Sequence, residues 1–587
     1  MINLGDKNWG VKDSGLLAYK QVGLRFFNKD FDFTRASNGT YVDKNGVLQT
    51  AELYNLLPYS NDFSQYTLGS GLTLTSNQNG YDATSNAWLY ADTSTGNSLQ
   101  TSISSSGIQT LSIYVKEGIA NGIRLRWIGS SGGDAYFNIS DSSTEAYNTT
   151  NTITTTKESV GSNWHRVSVT FNDTINTIRI YVADGSGTSS VNGNIYIQDA
   201  QLVEGTEPLD YQYTNGLVGI PRIDFSDGVG ALLLEPQTTN LVTYSEDYSQ
   251  SSVWVKTGNT SISLNSIISP DGTQNASRIS GLDGSGANDL RYFPSGFNSA
   301  NKTLTFSAYL KGSGTLRMQM SNGVNQGPSQ TITLTSDWKR HSLTATFNST
   351  TSAGFHINFD DLDGVTATSY DLYGVQLEEK SYATSLINTS GSAVTRIADV
   401  ANNCGSEQDF NSEEGVLYAE IAALADDLTY RGMSISDGSK SNRVSIYYSN
   451  ISNEILGLVI SGFSIRLNIA HPLYEVKDYH KIAIKYKEND FALWANGVEV
   501  GTANTGATPI GLSELAFDGG DGTDNFYGKV RSVKYFPEAL GDTKLMTLTG
   551  GDGSLQGLFN TFQARVLADG GTIEAETCIK NEIKELL

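Results

Sequence analysis

The chain has 587 residues, 60 of them glycine, and a formal net charge of −23 at pH 7. Hydrophobic residues make up 38% of it, which is enough for large cores and argues against bulk disorder. The acidic balance argues against nucleic acid as a partner, because phosphate binding needs clustered Lys and Arg. No apolar run approaches the roughly 20 residues of a membrane-spanning helix, so we expect no membrane span.

The start of the chain and its cysteines indicate where the protein is made. The first ten residues, MINLGDKNWG, contain neither a basic nor an apolar region, so no signal peptide is predicted. Cys404 and Cys578 lie in different segments, which argues against a disulfide framework. We therefore expect synthesis in a reducing cytoplasm and a fold that is stabilised by packing alone.

A tandem repeat organises the first two thirds of the chain. Four landmarks recur in the same order, at 55–65, 110–118, 164–171 and 199–205 and again at 240–250, 308–312, 338–347 and 374–380. Apolar and polar residues alternate within them, as strands with one buried face require, and Gly-rich turn sequences lie between them. We predict a mainly β fold with two antiparallel β-sandwich (jelly-roll) modules. The predicted boundaries are 1–52 for an N-terminal anchoring segment, 53–212 for module 1, 213–235 for a connector and 236–398 for module 2.

A different β pattern follows the repeat. The stretch 480–502 predicts three strands, the last two joined by Asn496-Gly497, the pair that a type I′ turn favours. The strand order over 411–548 resembles the laminin-G, or concanavalin-like, sandwich. We therefore predict such a domain, called the third domain below, at 399–548.

Residues 549–587 are predicted to form a helical C-terminal segment. Ile579, Ile583 and Leu586 lie at i, i+4 and i+7 and would make an apolar stripe on a last helix. The stripe would pack on its own subunit or dock on a neighbouring subunit or protein, and the sequence leaves both alternatives open.

Three stretches resemble segments of tailed-bacteriophage virion proteins. They are DFTRASNGTYVDKNGVLQ at 32–49, PRIDFSDGVGALLLEPQTTNLVTYSEDYS at 221–249 and YDLYGVQLEEKSYATSLINTSGSAVTR at 370–396. In that family such segments lead into jelly-roll modules similar to carbohydrate-binding modules. The resemblance implies a protein of the virion surface, either a tail fibre, a spike or a head or tail appendage, made in the host cytoplasm.

The same resemblance implies partners and activity. It predicts adhesion to host cell-surface glycans, contacts with other virion proteins, and a homo-oligomer, with a trimer as the expectation. A purely structural decoration or connector protein is the first alternative, and a glycan depolymerase is the second. Because no nucleophile elbow, phosphate loop or HExxH motif is present, we expect no catalytic residues and no enzymatic activity.

One acidic loop has the composition of a calcium site. Asp518, Asp521 and Asp524 lie in FDGGDGTDN, where glycines would let backbone carbonyls turn inward toward a hard cation. The loop lacks the terminal glutamate of an EF-hand, and acidic glycine-rich turns are also common as solvated loops. Calcium is therefore a predicted cofactor, and the alternative is a solvated loop that binds no metal.

Sugar binding needs exposed aromatic rings beside polar groups, and three tryptophans without a repeat partner are candidates. Trp127 follows Arg124 and Arg126, which would pair with acidic sugars; Trp88 and Trp494 are the others. The alternative for each is ordinary core packing, the usual fate of large aromatic side chains. Outside the Arg124 and Arg126 patch, the acidic surface favours a neutral sugar.

Overall fold

The structure is a computed structural model that describes residues 31–550 and the backbone of four short strands before them. The gaps within that range are 36, 53, 83, 95–96, 141–145, 185–191, 215–219, 295, 322–326, 349–354 and 361–364. The predicted C-terminal segment therefore lies outside the described residues beyond Gly550, as does Cys578. Cys404 is buried. No helix in the described part is long and apolar enough to cross a membrane.

The chain folds into two compact units, one of which spans Lys20–Asn28 and Leu53–Val218. The other contains module 2, the third domain and residues 31–52. The first strands are β1 Gly10–Lys12, β2 Gly15–Leu17, β3 Tyr19–Val22, β4 Arg25–Asn28, β5 Asp32–Thr34, β6 Gly39–Val42 and β7 Leu48–Ala51.

Module 1 is a two-layer β sandwich, as predicted. After a 3₁₀ turn at Phe63–Gln65 its strands are β8 Thr67–Leu68, β9 Leu72–Gln78, β10 Ala87–Asp92, β11 Leu99–Glu117, β12 Gly122–Gly129, β13 Gly133–Asn138, β14 Ala146–Thr150, β15 Thr152–Gly161, β16 Trp164–Ala183 and β17 Gly193–Glu204. The long strands β11 and β16 run through both layers. One layer has the order β8-β11-β16-β12-β13-β14, and the other has β9-β10-β17-β11-β16-β15. Alternate residues of each strand fill the core between the layers.

Module 2 repeats this strand order. It follows β18 Arg222–Asp224 and β19 Ala231–Leu234, and its strands are β20 Thr238–Asn240, β21 Trp254–Lys256, β22 Ser261–Ile267, β23 Ala276–Ser280, β24 Asp289–Tyr292, β25 Thr303–Gly312, β26 Thr315–Ser321, β27 Ser329–Thr333, β28 Lys339–Thr346, β29 His356–Asp360, β30 Ser369–Glu378 and β31 Val394–Arg396. Its two sheets are β21-β24-β29-β26-β27 and β22-β23-β30-β25-β28. They match the layers of module 1 when β11 and β16 are each divided into two halves.

Equivalent asparagines make the same four hydrogen bonds in the two modules. Asn55 accepts from two backbone N–H groups, of Leu57 and Leu202, and its amide donates to two carbonyl oxygens, of Ala200 and Gln212. Asn240 accepts from the N–H groups of Val242 and Leu377 and donates to the carbonyls of Val375 and Ile387. Each asparagine thus ties the start of its module to a late strand, β17 in module 1 and β30 in module 2, and to the segment after that strand, which confirms the repeat at the level of single bonds.

The third domain is also a two-sheet sandwich. Its elements are β32 Val400–Asn402, β33 Glu414–Ala423, β34 Arg431–Ser436, β35 Arg443–Tyr448, β36 Glu454–Ser461, β37 Ser464–Pro472, β38 His480–Lys487, β39 Phe491–Ala495, β40 Val498–Ala503, β41 Glu514–Ala516, β42 Gly528–Phe536 and helix α1 Asp542–Thr549. The predicted turn between β39 and β40 is confirmed, since Asn496 and Gly497 both have positive φ, 48° and 85°. The sheets are β18-β19-β42-β33-β38-β39-β40 and β37-β36-β35-β34-β41.

Two segments are less separate from the folded domains than the sequence predicts. The connector 213–235 is not a plain linker, because its strand β19 pairs with β42 and so extends a sheet of the third domain. Residues 31–52 are not separate from the rest of the chain, because β5 pairs with β32 and Leu48 packs in a cluster with Tyr373 and Leu386 of module 2; their anchoring role stays a prediction. Both segments are integral parts of the larger unit.

A buried charge hub joins these segments. It consists of Arg35, Arg222, Arg396, Glu235 and Asp399, and all three arginine side chains are 0% exposed. Asp399 accepts from Arg35 Nη1 at 2.9 Å and from Arg222 Nη2 at 2.5 Å. Glu235 Oε2 lies 2.6 Å from Arg222 Nη1 and 2.8 Å from Arg396 Nη1.

The hub sets the charge state of its own members. Burial would raise the pKa of Glu235, but the charges of Arg396 and Arg222 outweigh it and lower that pKa from 4.5 to about 2. Burial and the charge of Arg222 lower the pKa of Arg35 to about 10, still above neutral pH. Glu235 and Arg35 are therefore both ionised at neutral pH.

We predict that Asp399→Asn destabilises the larger unit by about 3–5 kcal/mol, because it leaves buried arginine charge uncompensated without changing side-chain volume. Urea unfolding with hydrogen exchange of β19 as the local probe measures this. Glu379→Gln is the matched control: Glu379 pairs with Lys302 at the surface, with its side chain 55% exposed, so a loss within about 1 kcal/mol is expected. Equal losses in the two variants would contradict a structural role for the hub.

Acid should weaken the larger unit through Glu235. Its pKa in the folded chain lies below the ordinary 4.5, so the unfolded chain takes up the proton first as the pH falls. The stabilisation is complete above pH 4.5 and is lost as the pH drops toward about 2. Unfolding midpoints between pH 7 and pH 2 should show this slope, and Glu235→Gln should flatten it; an unchanged slope in the variant would refute the assignment.

Candidate functional site

The outer face of one layer of module 1 carries an unusual concentration of arginine. In β12, alternation sends Ile123, Leu125 and Trp127 into the core, so Arg124 and Arg126 lie on the outer side. The facing strands place their own outward residues beside them: Asp134 and Tyr136 on β13, and Arg179 and Tyr181 on β16. These six residues, Arg124, Arg126, Asp134, Tyr136, Arg179 and Tyr181, are called the arginine face.

Arg124 is the fixed centre of the arginine face. Its Nε donates to Asp134 Oδ1 at 2.6 Å, and its guanidinium carbon lies 5.0 Å from the ring centre of Tyr136 and 4.7 Å from that of Tyr181. Burial would lower the pKa of Arg124, but its hydrogen bond and ion pair with Asp134 raise it overall. Arg124 thus neutralises Asp134 and covers both rings, which are themselves buried.

Arg126 and Arg179 carry the accessible charge of the arginine face. They are direct partners in the register of β12 and β16. The side chain of Arg126 is 39% exposed, and its Nε is 3.9 Å from the oxygen of Asp134 that Arg124 already binds. Arg179 is half-buried, and its Nε has no hydrogen-bond partner among the described residues. With three arginines and one carboxylate, the arginine face has a local excess of positive charge.

Trp127 is not the exposed platform that the sequence suggested. Its side chain is 0% exposed and stacks on Phe171, with ring centres 4.1 Å apart and planes 7° from parallel. Gly133 makes room for the ring, since a Cβ there would lie 2.1 Å from Trp127 Cζ2. Trp127 points inward because adjacent strand residues face opposite sides and its neighbour Arg126 points outward.

The other two tryptophans each have their own packing contacts. Trp88 is half-buried against the core of module 1 and donates its Nε1 to the carbonyl of Asn61 at 2.8 Å. Trp494 belongs to the third domain and is only 6% exposed, in a cluster with Leu545 of α1. Both side chains therefore have packing roles, and Trp88 lies on β10, which is not one of the strands that form the arginine face.

The acidic loop of the third domain does not assemble its three aspartates. Asp518 is buried and accepts from the N–H of Gly520 at 2.6 Å. Asp521 and Asp524 both face Lys440, whose Nζ lies 3.5 and 3.1 Å from their carboxylates. Within the described ranges no three His, Cys, Asp or Glu side chains group as metal ligands. Calcium binding at this loop therefore stays a prediction from the sequence.

Sequence reasoning missed four of the six residues of the arginine face: Asp134, Tyr136, Arg179 and Tyr181. Arg179 and Tyr181 lie in the run Thr177–Val182 (TIRIYV), where Ile178, Ile180 and Val182 alternate with them. That alternation was a visible signal that Arg179 and Tyr181 share an outer face. What the sequence did not show is that this face continues onto β12.

The sequence matches no protein-family model and no curated protein. Solved structures similar to it include the CBM40 module of the Ruminococcus gnavus IT-sialidase, at 14% identity over 25% of this chain and 94% of that one, with a TM-score of 0.22. The CBM22-1-CBM22-2 tandem of Paenibacillus barcinonensis Xyn10C is similar at 10% identity over 56% of this chain and all of that one, with a TM-score of 0.23. Domains LG4-5 of the mouse laminin alpha1 chain are similar at 10% identity, over 45% and 91%, with a TM-score of 0.17.

We predict that Trp127→Ala destabilises module 1 by about 3–5 kcal/mol, as large-to-small changes of buried aromatics do. Trp127→Phe, which keeps a ring against Phe171, should cost much less. Thermal unfolding of both variants measures the difference. If Trp127→Ala instead weakened ligand binding at full stability, the ring would have a ligand role after all.

Proposed function

We propose that this chain is a surface protein of a tailed-bacteriophage particle that binds glycans of the host envelope. The observation that supports glycan binding is the arginine face, an outer sheet surface on which the cationic side chains outnumber the carboxylates. Support for the particle comes from the stretches 32–49, 221–249 and 370–396, which resemble virion proteins and supply four of the five hub residues. The resemblance and the buried hub thus involve the same residues.

The arginine face offers the groups that hold saccharides. Sugar hydroxyls both donate and accept, and a guanidinium supplies donors in a fixed fork while a carboxylate supplies acceptors. Arg126 and Arg179 provide donors, and Asp134 provides an acceptor beside them. The rings of Tyr136 and Tyr181 support Arg124 from below and do not serve as stacking platforms themselves.

Weak single sites would suffice on a particle. Linked copies raise avidity by roughly 10²–10⁴ without any new contact. We expect a homo-oligomer, with a trimer as the working assignment, held to other virion proteins. The N-terminal segment 1–52 or the predicted helical C-terminal segment 549–587 would anchor the chain to the particle.

A glycan array of bacterial envelope polysaccharides tests the proposal on the full chain. We expect saturable binding to a subset of them and no new reducing ends after incubation, because we propose adhesion without catalysis. Absence of binding to every envelope polysaccharide would overturn the adhesion and favour a purely structural virion role. Release of new reducing ends would favour a depolymerase instead.

A further inference from the structure

Two arginines face each other across strands where ordinary sheet packing disfavours them. Direct partners in an antiparallel pair have Cβ atoms about 4.5–5.5 Å apart, and like charges there are destabilising. Arg126 and Arg179 are such partners. Asp134, the nearest carboxylate, is bound more closely by Arg124 than by Arg126, at 2.6 against 3.9 Å. The pair therefore has charge that the described part of the chain does not balance.

Module 2 shows that the fold does not need this pair. Its strands β26 and β29 take the places of β12 and the second half of β16 in the same strand order. There the equivalent partners are Gln319 and Asn358, two neutral amides, next to the buried pair Met318 and Phe359. In module 1 the buried pair at that step is Leu125 and Ile180, which fixes the alignment.

The neighbouring position supports the same contrast. In module 2, Arg317 corresponds to Arg124 and is neutralised by two bonds to Asp360, at 2.7 and 3.0 Å. In module 1, the residue at the position of Asp360 is Tyr181, which brings no charge. The carboxylate of module 1 lies on β13 instead, where Asp134 takes the position of Ser329. Over the six equivalent positions, module 1 therefore has two more arginines than module 2 and the same number of carboxylates, within a chain of net charge −23.

We infer that Arg126 and Arg179 bind the anionic group of an acidic saccharide, a carboxylate or a phosphate on the sugar. This rests on the proposed glycan binding and names its ligand class. An anion between the two guanidinium groups removes their mutual repulsion and accepts hydrogen bonds from the side chain of Arg126, which is 39% exposed. Guanidinium forks match the geometry of both oxyanions, which makes arginine the suited residue.

The test uses full-length protein and one envelope polysaccharide that it binds, in three forms: native, carboxyl-reduced and dephosphorylated. We expect the native form to bind about ten- to hundredfold more tightly than one of the two treated forms, as expected for charge-assisted hydrogen bonds. Which treatment weakens binding identifies the anion as carboxylate or phosphate. Raised salt should weaken binding of the forms that keep this anion and leave binding of the form that lacks it nearly unchanged.

The variant Arg126→Gln with Arg179→Asn places the residues of module 2 at both positions, so the fold should be retained. We expect the affinity of this variant for the native polysaccharide to fall by the same ten- to hundredfold. Its affinity for the treated form that lacks the anion should equal that of the unaltered chain. Lys302→Gln with Lys487→Gln changes the net charge equally at exposed sites outside module 1 and should bind normally. Thermal unfolding of each variant shows whether folding is unchanged.

The outcomes separate this inference from the proposed function. If the three forms bind equally, or the Arg126 and Arg179 variant binds natively, the anion site is refuted while glycan adhesion stands. If no envelope polysaccharide binds at all, both fail. If the lysine control loses as much as the arginine variant, the effect is one of net charge, and the site is refuted.

Discussion

The buried ion pairs of the hub are the constraint on which the assembly of the larger unit depends. A buried arginine is tolerated only when its charge and its donors are both satisfied. The hub meets most of this demand: Glu235 and Asp399 pair with the three arginines, Arg35 also donates to the carbonyls of Ala51 and Ile220, and Arg396 donates to that of Pro236. Among the described residues only the Nε atoms of Arg222 and Arg396 are left without a hydrogen-bond partner within the hub. Since no single segment supplies both signs in sufficient number, distant parts of the chain must assemble together or leave an ion unpaired.

Because of this requirement, module 2 and the third domain are not independent domains joined by a linker. Arg222 lies on β18, at the edge of a sheet of the third domain, while Arg396 lies on β31, the closing strand of module 2. Glu235 binds both arginines at once. The segment 213–235, which was predicted to be a connector, is therefore the element that links module 2 and the third domain through one set of ion pairs.

Much of the fold could be predicted because strand alternation and turn residues are local signals. The repeat, the sandwich class and the Asn496-Gly497 hairpin all followed from patterns within a few residues. The pairing of β19 with β42, and of β5 with β32, joins residues about 300 or more positions apart, and a strand pattern does not name its partner. For the same reason, the sequence did not show that Arg179 and Arg126 are cross-strand partners, although alternation within each strand placed both side chains on an outer face. Trp127 was a ligand candidate because Arg124 and Arg126 precede it, whereas the period of two places its side chain inward, as the core-packing alternative expected.

The route of the chain through module 1 has a consequence for how such a protein changes. Tyr54 and Asn55 donate their N–H groups to the side chain of Gln212, so the two ends of the module lie side by side. Leu53–Val218 interrupts the larger unit in sequence, and all five hub residues lie outside it. Domains whose ends meet tolerate insertion and exchange. We expect that recombination replacing this cassette could change what the protein recognises in one step, while the buried hub that holds the rest together is inherited intact.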